Sequence, residues 1–284
     1  MTTPLWTPSA ARRENSNLTR FGRFVTERYA RTLPDYAAMH RWSVEEPAEF
    51  WSAIWDFCGV IAAEKGETVV EHGDTFPARD SPAARWFPDA RLNFAENLLR
   101  HHDKRIALVS ILENGRRTTL THAELYHRVA QLSAALRAQG VGVGDRVAGF
   151  LPNIAETVIA MLASTSLGAV WTSCSPDFGL NGVLDRFGQV RPKVLFAADG
   201  YYYNGKTCDC LERVAQLSER IDSLEKIVVI PLVSASPTLD GIVDGVVFDD
   251  FLDRDAHAVE FTHLPFDHPL YICLLYTSDA ADDR

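Results

Sequence analysis

What the sequence lacks narrows its class first. Cysteine is scarce, and Cys58, Cys174, Cys208, Cys210 and Cys273 form an odd, scattered set. The leading residues MTTPLWTPSAARREN contain no apolar stretch of the kind that opens a secreted protein. Together these features exclude a disulfide-framed fold and predict free thiols in a reducing cytoplasm. Positive charge is also short, with 28 Lys and Arg against 38 Asp and Glu and a net charge of −10. That balance excludes a nucleic-acid surface and a basic membrane-binding face. No apolar run has membrane length. The most apolar window, 154–174, is broken by Glu156, by Ser164-Thr165-Ser166 and by Gly168, so it reads as a buried helix followed by a strand. Internal repeats and low-complexity tracts are missing as well.

Several chemical signatures are absent or misplaced. There is no Gly-x-Ser-x-Gly elbow and no Walker-type loop. The run Gly140-Val141-Gly142-Val143-Gly144-Asp145 follows a helix and precedes a strand, the reverse of the order a dinucleotide loop needs. Cys208 and Cys210 have no second Cys/His pair at workable spacing, so no metal site is expected. His101, His102, His122 and His127 read as solvated histidines on helix ends and faces.

What is present centres on residues 145–199. Three short apolar runs, 147–151, 169–173 and 193–197, are separated by two helix-length segments. The first segment, 154–167, follows Asn153, a candidate cap, and is apolar nearly all round, so it should be buried. The second, 179–190, lines up Leu180, Val183, Leu184 and Phe187 and ends at Arg191-Pro192. Strand, helix, strand, helix, strand predicts an α/β fold, a layered parallel sheet with right-handed crossover helices. At 284 residues the chain has room for one large domain or two ordinary ones.

The flanks fit a helical N-terminal region ahead of this sheet. Residues 18–33 predict a helix that stops before Pro34. Ser43 and Glu46 match a capping box, with Pro47 in the first turn of a helix bearing Phe50, Trp51, Ile54, Trp55 and Cys58. Trp42, Trp51, Trp55 and Trp86 read as core anchors. Residues 66–91 read as a connection, and Leu92, Ala95, Leu98 and Leu99 as a helical stripe. Asn114-Gly115 predicts a hairpin joining 106–112 to 116–120. Thr121 and Glu124 form a second capping box for a helix closed by Gly140. Further on, 208–221 reads as helix, 226–232 as strand, 233–245 as loop and 246–252 as another short apolar run.

The segments WSVEEPAEFW (42–51), WFPDARLNFAENLL (86–99), GAVWTSCSPDFG (168–179), YYYNGK (201–206) and HPLYI (268–272) resemble the acetoacetyl-CoA synthetase family of adenylate-forming acyl-CoA ligases. The resemblance runs from about Leu5 to Ile272 and implies the following organisation. Residues 1–100 would be the helical N-terminal region and 101–272 the first part of the AMP-binding α/β domain. The tail 273–284, CLLYTSDAADDR, departs from the family and reads as a truncation artefact that packs poorly or lies exposed. The implied reaction joins acetoacetate to CoA through an acyl-adenylate, with ATP, Mg²⁺ and CoA as cofactors of the full-length enzyme and none held tightly by this fragment. Its partners would be small molecules, without nucleic acid or membrane. The phosphate loop, the carboxylate pocket and the catalytic lysine domain would lie beyond this chain, so no catalytic residue and no metal ligand is assigned within it, and the fragment is expected to be inactive and only marginally soluble.

The resemblance also implies where CoA would bind. Lys206 matches a basic position that meets the 3′-phosphate, while Tyr203 stands where relatives have a second basic residue. Gly205 lies in the same loop, and Asp177, Phe178 and Gly179 match the segment lining the CoA channel. Two plainer roles stand beside these. Ser175 or Asp177 could simply cap the next helix, and Lys206 could be an ordinary solvated lysine. Arg186 is expected to pair with a neighbouring acid. A ligase for another small acid, or a stand-alone CoA-binding or interaction module, remain alternatives to the acetoacetate reading.

Overall fold

The structure, a computed structural model, describes residues 5–73 and 83–273. It divides into two compact units, residues 1–91 with 265–267, and residues 92–264 with 268–284.

The first unit is helical: α1 (Ala10–Glu14), α2 (Asn17–Tyr29), α3 (Tyr36–Glu45) and α4 (Pro47–Cys58), followed by a short antiparallel pair, β1 (Val70–Glu71) with β2 (Arg85–Trp86). Phe21, Val25, Met39, Trp42 and Ala53 form its centre, with Phe24, Phe50 and Phe57 packed against them. The Trp42 indole donates from Nε1 to Glu49 Oε2 at 2.9 Å, so its polar edge is satisfied at the margin of the core.

Three expectations need correction here. Helix α2 ends at Tyr29 rather than running to Leu33, because Ala30 turns into the left-handed region at φ 51°. The Ser43–Glu46 capping box is not made. Helix α3 continues through Ser43, whose hydroxyl donates back to His40 O, and Glu46 precedes Pro47 without a side-chain cap. Trp42 and Trp55 are buried, but Trp51 is 42% exposed and Trp86 only half-buried, so those two are not core anchors.

The short strand β3 (Arg91–Leu92) spans the change of unit along the chain and leads into α5 (Phe94–Leu98) of the second unit, a helix shorter than the stripe to Leu99 suggested. Its cap is Asn93, which is 1% exposed. Asn93 Oδ1 accepts from the N–H groups of Ala95 and Glu96, while Nδ2 donates to the carbonyls of Thr165, Ser166 and Thr262. One side chain thus closes one helix start and one helix end. The predicted hairpin is present as β4 (Ile106–Ile111) against β5 (Arg117–Thr121), with Gly115 at φ 83° in its turn. The Thr121–Glu124 capping box then opens α6 (His122–Ala138).

The strands β6 (Arg146–Phe150), β7 (Val170–Cys174), β8 (Val194–Ala198), β11 (Lys226–Ile230), β12 (Gly245–Val247) and β14 (Tyr271–Ile272) form one sheet. Its order is β12-β11-β8-β6-β7-β14, and each neighbouring pair is parallel. Between them lie α7 (Ala155–Ser166), α8 (Leu180–Val190), the hairpin β9 (Gly200–Tyr203) and β10 (Lys206–Asp209), α9 (Leu211–Arg220), α10 (Phe248–Phe251) and β13 (Leu264–Pro265). Strand side chains alternate between faces. Val147, Leu151, Trp171, Val194, Phe196, Val228 and Ile230 face a core shared with α6 and α7. Ala148, Phe150, Cys174, Leu195, Ala197, Ile227 and Val229 face the other core, with Val183 and Phe187 of α8 and Val214 and Leu217 of α9. Helices on both faces of a parallel sheet leave the strands buried on both sides, which is why they read as unbroken apolar runs.

Two details of the predicted layout shift. Asn153 is exposed and does not cap α7; Ile154 holds the cap position without a side-chain bond, and Thr157 Oγ1 donates to Pro152 O instead. The predicted helix 208–221 begins only at Leu211, because Cys208 lies in β10.

Candidate functional site

In a parallel sheet the loops beyond the carboxyl ends of the strands are free to hold ligands, above all where successive connections leave for opposite faces. Here the chain leaves β6 for α7 on one face, whereas it leaves both neighbouring strands, β7 and β8, for α8 and α9 on the other. The residues that follow these strands are therefore the candidate site.

After β7, the turn Ser175–Gly179 closes with the Phe178 N–H donating to Ser175 O at 3.2 Å. Pro176 is buried, Phe178 half-buried, and Asp177 and Gly179 exposed. Gly179 occupies the cap position of α8 and no side chain bonds there, so neither Ser175 nor Asp177 caps that helix. The capping role weighed for them is thereby removed, and Asp177 is left presenting its carboxylate to solvent.

After β8 comes Asp199, which is 1% exposed. Its carboxylate accepts three backbone N–H groups, from Leu232 (2.7 Å), Val233 (3.0 Å) and Ser234 (2.8 Å). A buried charge met by three donors ties the end of β8 to the chain leaving β11. Gly200 follows, and a Cβ there would stand 2.5 Å from Cys208 O, so only glycine permits this close approach of β9 and β10. The hairpin pairs Tyr203 with Lys206, Tyr202 with Thr207 and Tyr201 with Cys208. Asn204 (φ 51°) and Gly205 (φ 71°) make its two-residue turn, both left-handed as a tight hairpin of this hand requires. Lys206 and Tyr203 are therefore directly opposed at an exposed tip, with Tyr203 66% exposed. Among the described residues no carboxylate pairs with Lys206.

Sequence reasoning missed the residue that joins these two loops. Arg213, on the first turn of α9, donates from Nη1 to Pro176 O (2.7 Å) and Phe178 O (3.1 Å). Its Nη2 reaches Asp209 O (3.3 Å) and Cys210 Sγ (3.4 Å), and its guanidinium lies 5.4 Å from the centre of the Phe150 ring. Nothing in LERVAQLSER distinguishes this arginine from a solvated one. Asp199 was findable, since an acid followed by glycine at the end of an apolar run is a strand-end signal. Arg186 was expected to pair with an acid, and among the described residues it does not. Its guanidinium covers the Phe178 ring at 4.5 Å, Nη1 donates to Gly182 O at 2.7 Å, and Nε is buried without a hydrogen-bond partner.

Burial weakens the acidity of two thiols nearby. Burial pushes the Cys210 thiol up to about 11, with Arg213 opposing, and burial also raises Cys174 against the pull of Arg186. Cys174, Cys208 and Cys210 are free thiols. Among the described residues no group of three or more His, Cys, Asp or Glu is placed to hold a metal ion, and no helix is long and apolar enough to cross a membrane.

This is a doubly wound α/β domain whose candidate ligand loops stand at the carboxyl edge of the sheet. A family model described as AMP-binding enzyme matches residues 94–278, and one described as acetyl-coenzyme A synthetase N-terminus matches residues 36–98. The chain belongs to the AMP-binding enzyme family. It is 45% identical over 271 residues to an acetoacetyl-coenzyme A synthetase of Rhizobium meliloti, covering 95% of this chain and 40% of that protein. Identity to an acetoacetyl-CoA synthetase of Danio rerio is 40% over 284 residues, covering 96% and 41%. The solved acetoacetyl-CoA synthetase of Streptomyces lividans superposes with a TM-score of 0.85 at 40% identity, covering 95% of this chain and 41% of that one. The chain thus spans about two-fifths of the length of the curated relatives it matches.

Proposed function

We propose that this chain is the N-terminal part of an ATP-dependent acid–thiol ligase that makes acetoacetyl-CoA. In the first half-reaction an acetoacetate oxygen attacks the α-phosphorus of ATP, and diphosphate leaves with its electrons. In the second, the CoA sulfur attacks the acyl carbon, AMP leaves, and the thiol proton passes to solvent or a base. A carboxylate is a poor acyl donor, and the adenylate supplies the leaving group it lacks. The observation that carries this reading is identity of 40–45% to acetoacetyl-CoA synthetases across nearly the whole chain. ATP, Mg²⁺ and CoA serve the whole protein in its cytoplasmic setting. The reading divides the chain into an N-terminal region, 1–100, and the first part of the AMP-binding domain, 101–272. The expected departure at 273–284 falls, apart from the exposed Cys273, outside the described residues.

Within this reading the hairpin tip receives the CoA 3′-phosphate. Lys206 offers an exposed ammonium with no competing carboxylate among the described residues, carried on a turn whose geometry Gly205 makes possible. Tyr203 supplies a hydroxyl opposite it, while Asp177, Phe178 and Gly179 line the thiol path. The test compares wild type with Lys206→Ala in a full-length protein carrying this region. Loss of one charge-assisted contact should raise KM for CoA roughly five- to hundred-fold, leaving dephospho-CoA and acetoacetate-dependent ATP–diphosphate exchange unchanged. Equal effects on CoA and dephospho-CoA would make Lys206 a solvated lysine. Absence of acetoacetate-dependent exchange in the wild type would sink the ligase reading itself. The 284-residue chain alone should show no exchange above background.

A further inference from the structure

Two loops leave the carboxyl edge of the sheet, and one guanidinium holds both. Arg213 binds the Pro176 and Phe178 carbonyls with one nitrogen and the Asp209 carbonyl and Cys210 sulfur with the other. It spends its charge on no carboxylate among the described residues. A protein of net charge −10 has acids in plenty, so an arginine committed to carbonyls is a geometric device more than an electrostatic one. Each half of the guanidinium fork serves a different segment. Movement of the Pro176–Phe178 turn must therefore break bonds shared with the end of β10, and the reverse also holds. From the other side, Arg186 presses on the Phe178 ring at 4.5 Å, so the turn is held by both backbone and side chain.

We infer that Arg213 is a positioning residue for the thiol-transfer half-reaction, coupling the Ser175–Gly179 turn to the Tyr203–Lys206 hairpin so that both present one surface to CoA. The inference rests on the ligase reading above and adds to it the residue that sets the spacing of the two loops. Arg213 itself need not touch substrate. Its hydrogen bonds are directed at protein atoms, and its ring neighbour Phe150 belongs to the central strand β6, which anchors the clamp to the most buried part of the sheet. Lysine cannot reproduce it, because a single ammonium cannot span two carbonyls on one side and a carbonyl and a sulfur on the other.

The experiment uses a full-length protein containing this region, as wild type, Arg213→Lys and Arg213→Ala. Three readouts are taken: KM for CoA, acetoacetate-dependent ATP–diphosphate exchange, and amide hydrogen exchange of the segments 175–179 and 203–209. Both variants should raise KM for CoA by about tenfold or more, with exchange of diphosphate retained. Amide exchange should quicken in both segments together, since they share one clamp. The inference is overturned if KM for CoA is unchanged, or if both half-reactions fall equally, as a general loss of fold would produce. It is also overturned if only one segment opens. Failure of the ligase reading looks different: the wild type itself then lacks acetoacetate-dependent exchange, while the hydrogen-exchange result still reports whether Arg213 couples the loops.

Discussion

In the helical unit rings dominate the packing, with buried Phe21 and Trp42 and half-buried Phe24, Phe50 and Phe57 in mutual contact at centroid distances between 5.1 and 6.5 Å. In the α/β unit the two cores are mainly aliphatic, built from Val, Leu, Ile and Ala on strands and facing helices. Few helices enclose little volume, so each buried residue must cover much area, and aromatic rings do that best. Their polar edges then need partners near the surface, as Trp42 finds in Glu49 and as the salt bridge Lys65–Asp56 (2.8 Å) illustrates beside Trp55. A parallel sheet satisfies its own backbone, so its strands can be packed with branched aliphatic side chains on both faces. One unit thus depends on rings with polar margins, the other on an apolar sheet with a buried acid, Asp199, at its edge.

That contrast can be broken at the sheet first. Phe196 is fully buried in β8 between Trp171 and Phe248. Phe196→Ala should destabilise the α/β unit by about 3–5 kcal/mol, read from urea titrations followed by circular dichroism. A loss below about 1 kcal/mol would mean the core relaxes around the cavity and is less rigid than its burial indicates. The next effect concerns Asp199. Asp199→Ala orphans three backbone donors and should cost about 2–3 kcal/mol, with faster amide exchange at Leu232, Val233 and Ser234. Unchanged exchange at those amides would show that solvent replaces the carboxylate. The smallest effect belongs to the helical unit. Lys65→Met should cost roughly 0.5–1 kcal/mol at low salt and less at high salt, since Lys65 and Asp56 are each about a third exposed. A salt-independent loss of several kcal/mol would erase the contrast, because polar margins would then matter as much as the core.

Much of the architecture was legible in one dimension. The apolar runs and the all-round apolar helix before Leu167 reported a parallel sheet, because burial on both faces removes polar alternation. Thr121 with Glu124, and Asn114 with Gly115, were readable because both sets of bonds close within four residues. Misreadings arose where local signals competed. Ser43 and Glu46 matched a cap, yet α3 runs on to Glu45 because Trp42 is buried in the ring cluster and helix packing outweighs a single capping bond. Asn204-Gly205 carries the same hairpin signal as Asn114-Gly115. It was masked by the apolar spacing from Cys208 onward, which imitates the start of a helix.

The sequence by itself determined most of the element types and the α/β class, because periodicity and end signals are local. It determined the family resemblance too, because aromatic and Ser-Pro-Asp-Phe-Gly segments stand at recognisable places. Only the tertiary structure decided the strand order, in which β6 lies between β7 and β8. It also decided that Asp199 would bind three amides from a segment more than thirty residues away. The same holds for Arg213, whose partners Pro176 and Phe178 lie 37 and 35 residues back along the chain. Such contacts are absent from any short window of sequence, because a side chain's partner is chosen by which loops the sheet brings to one edge.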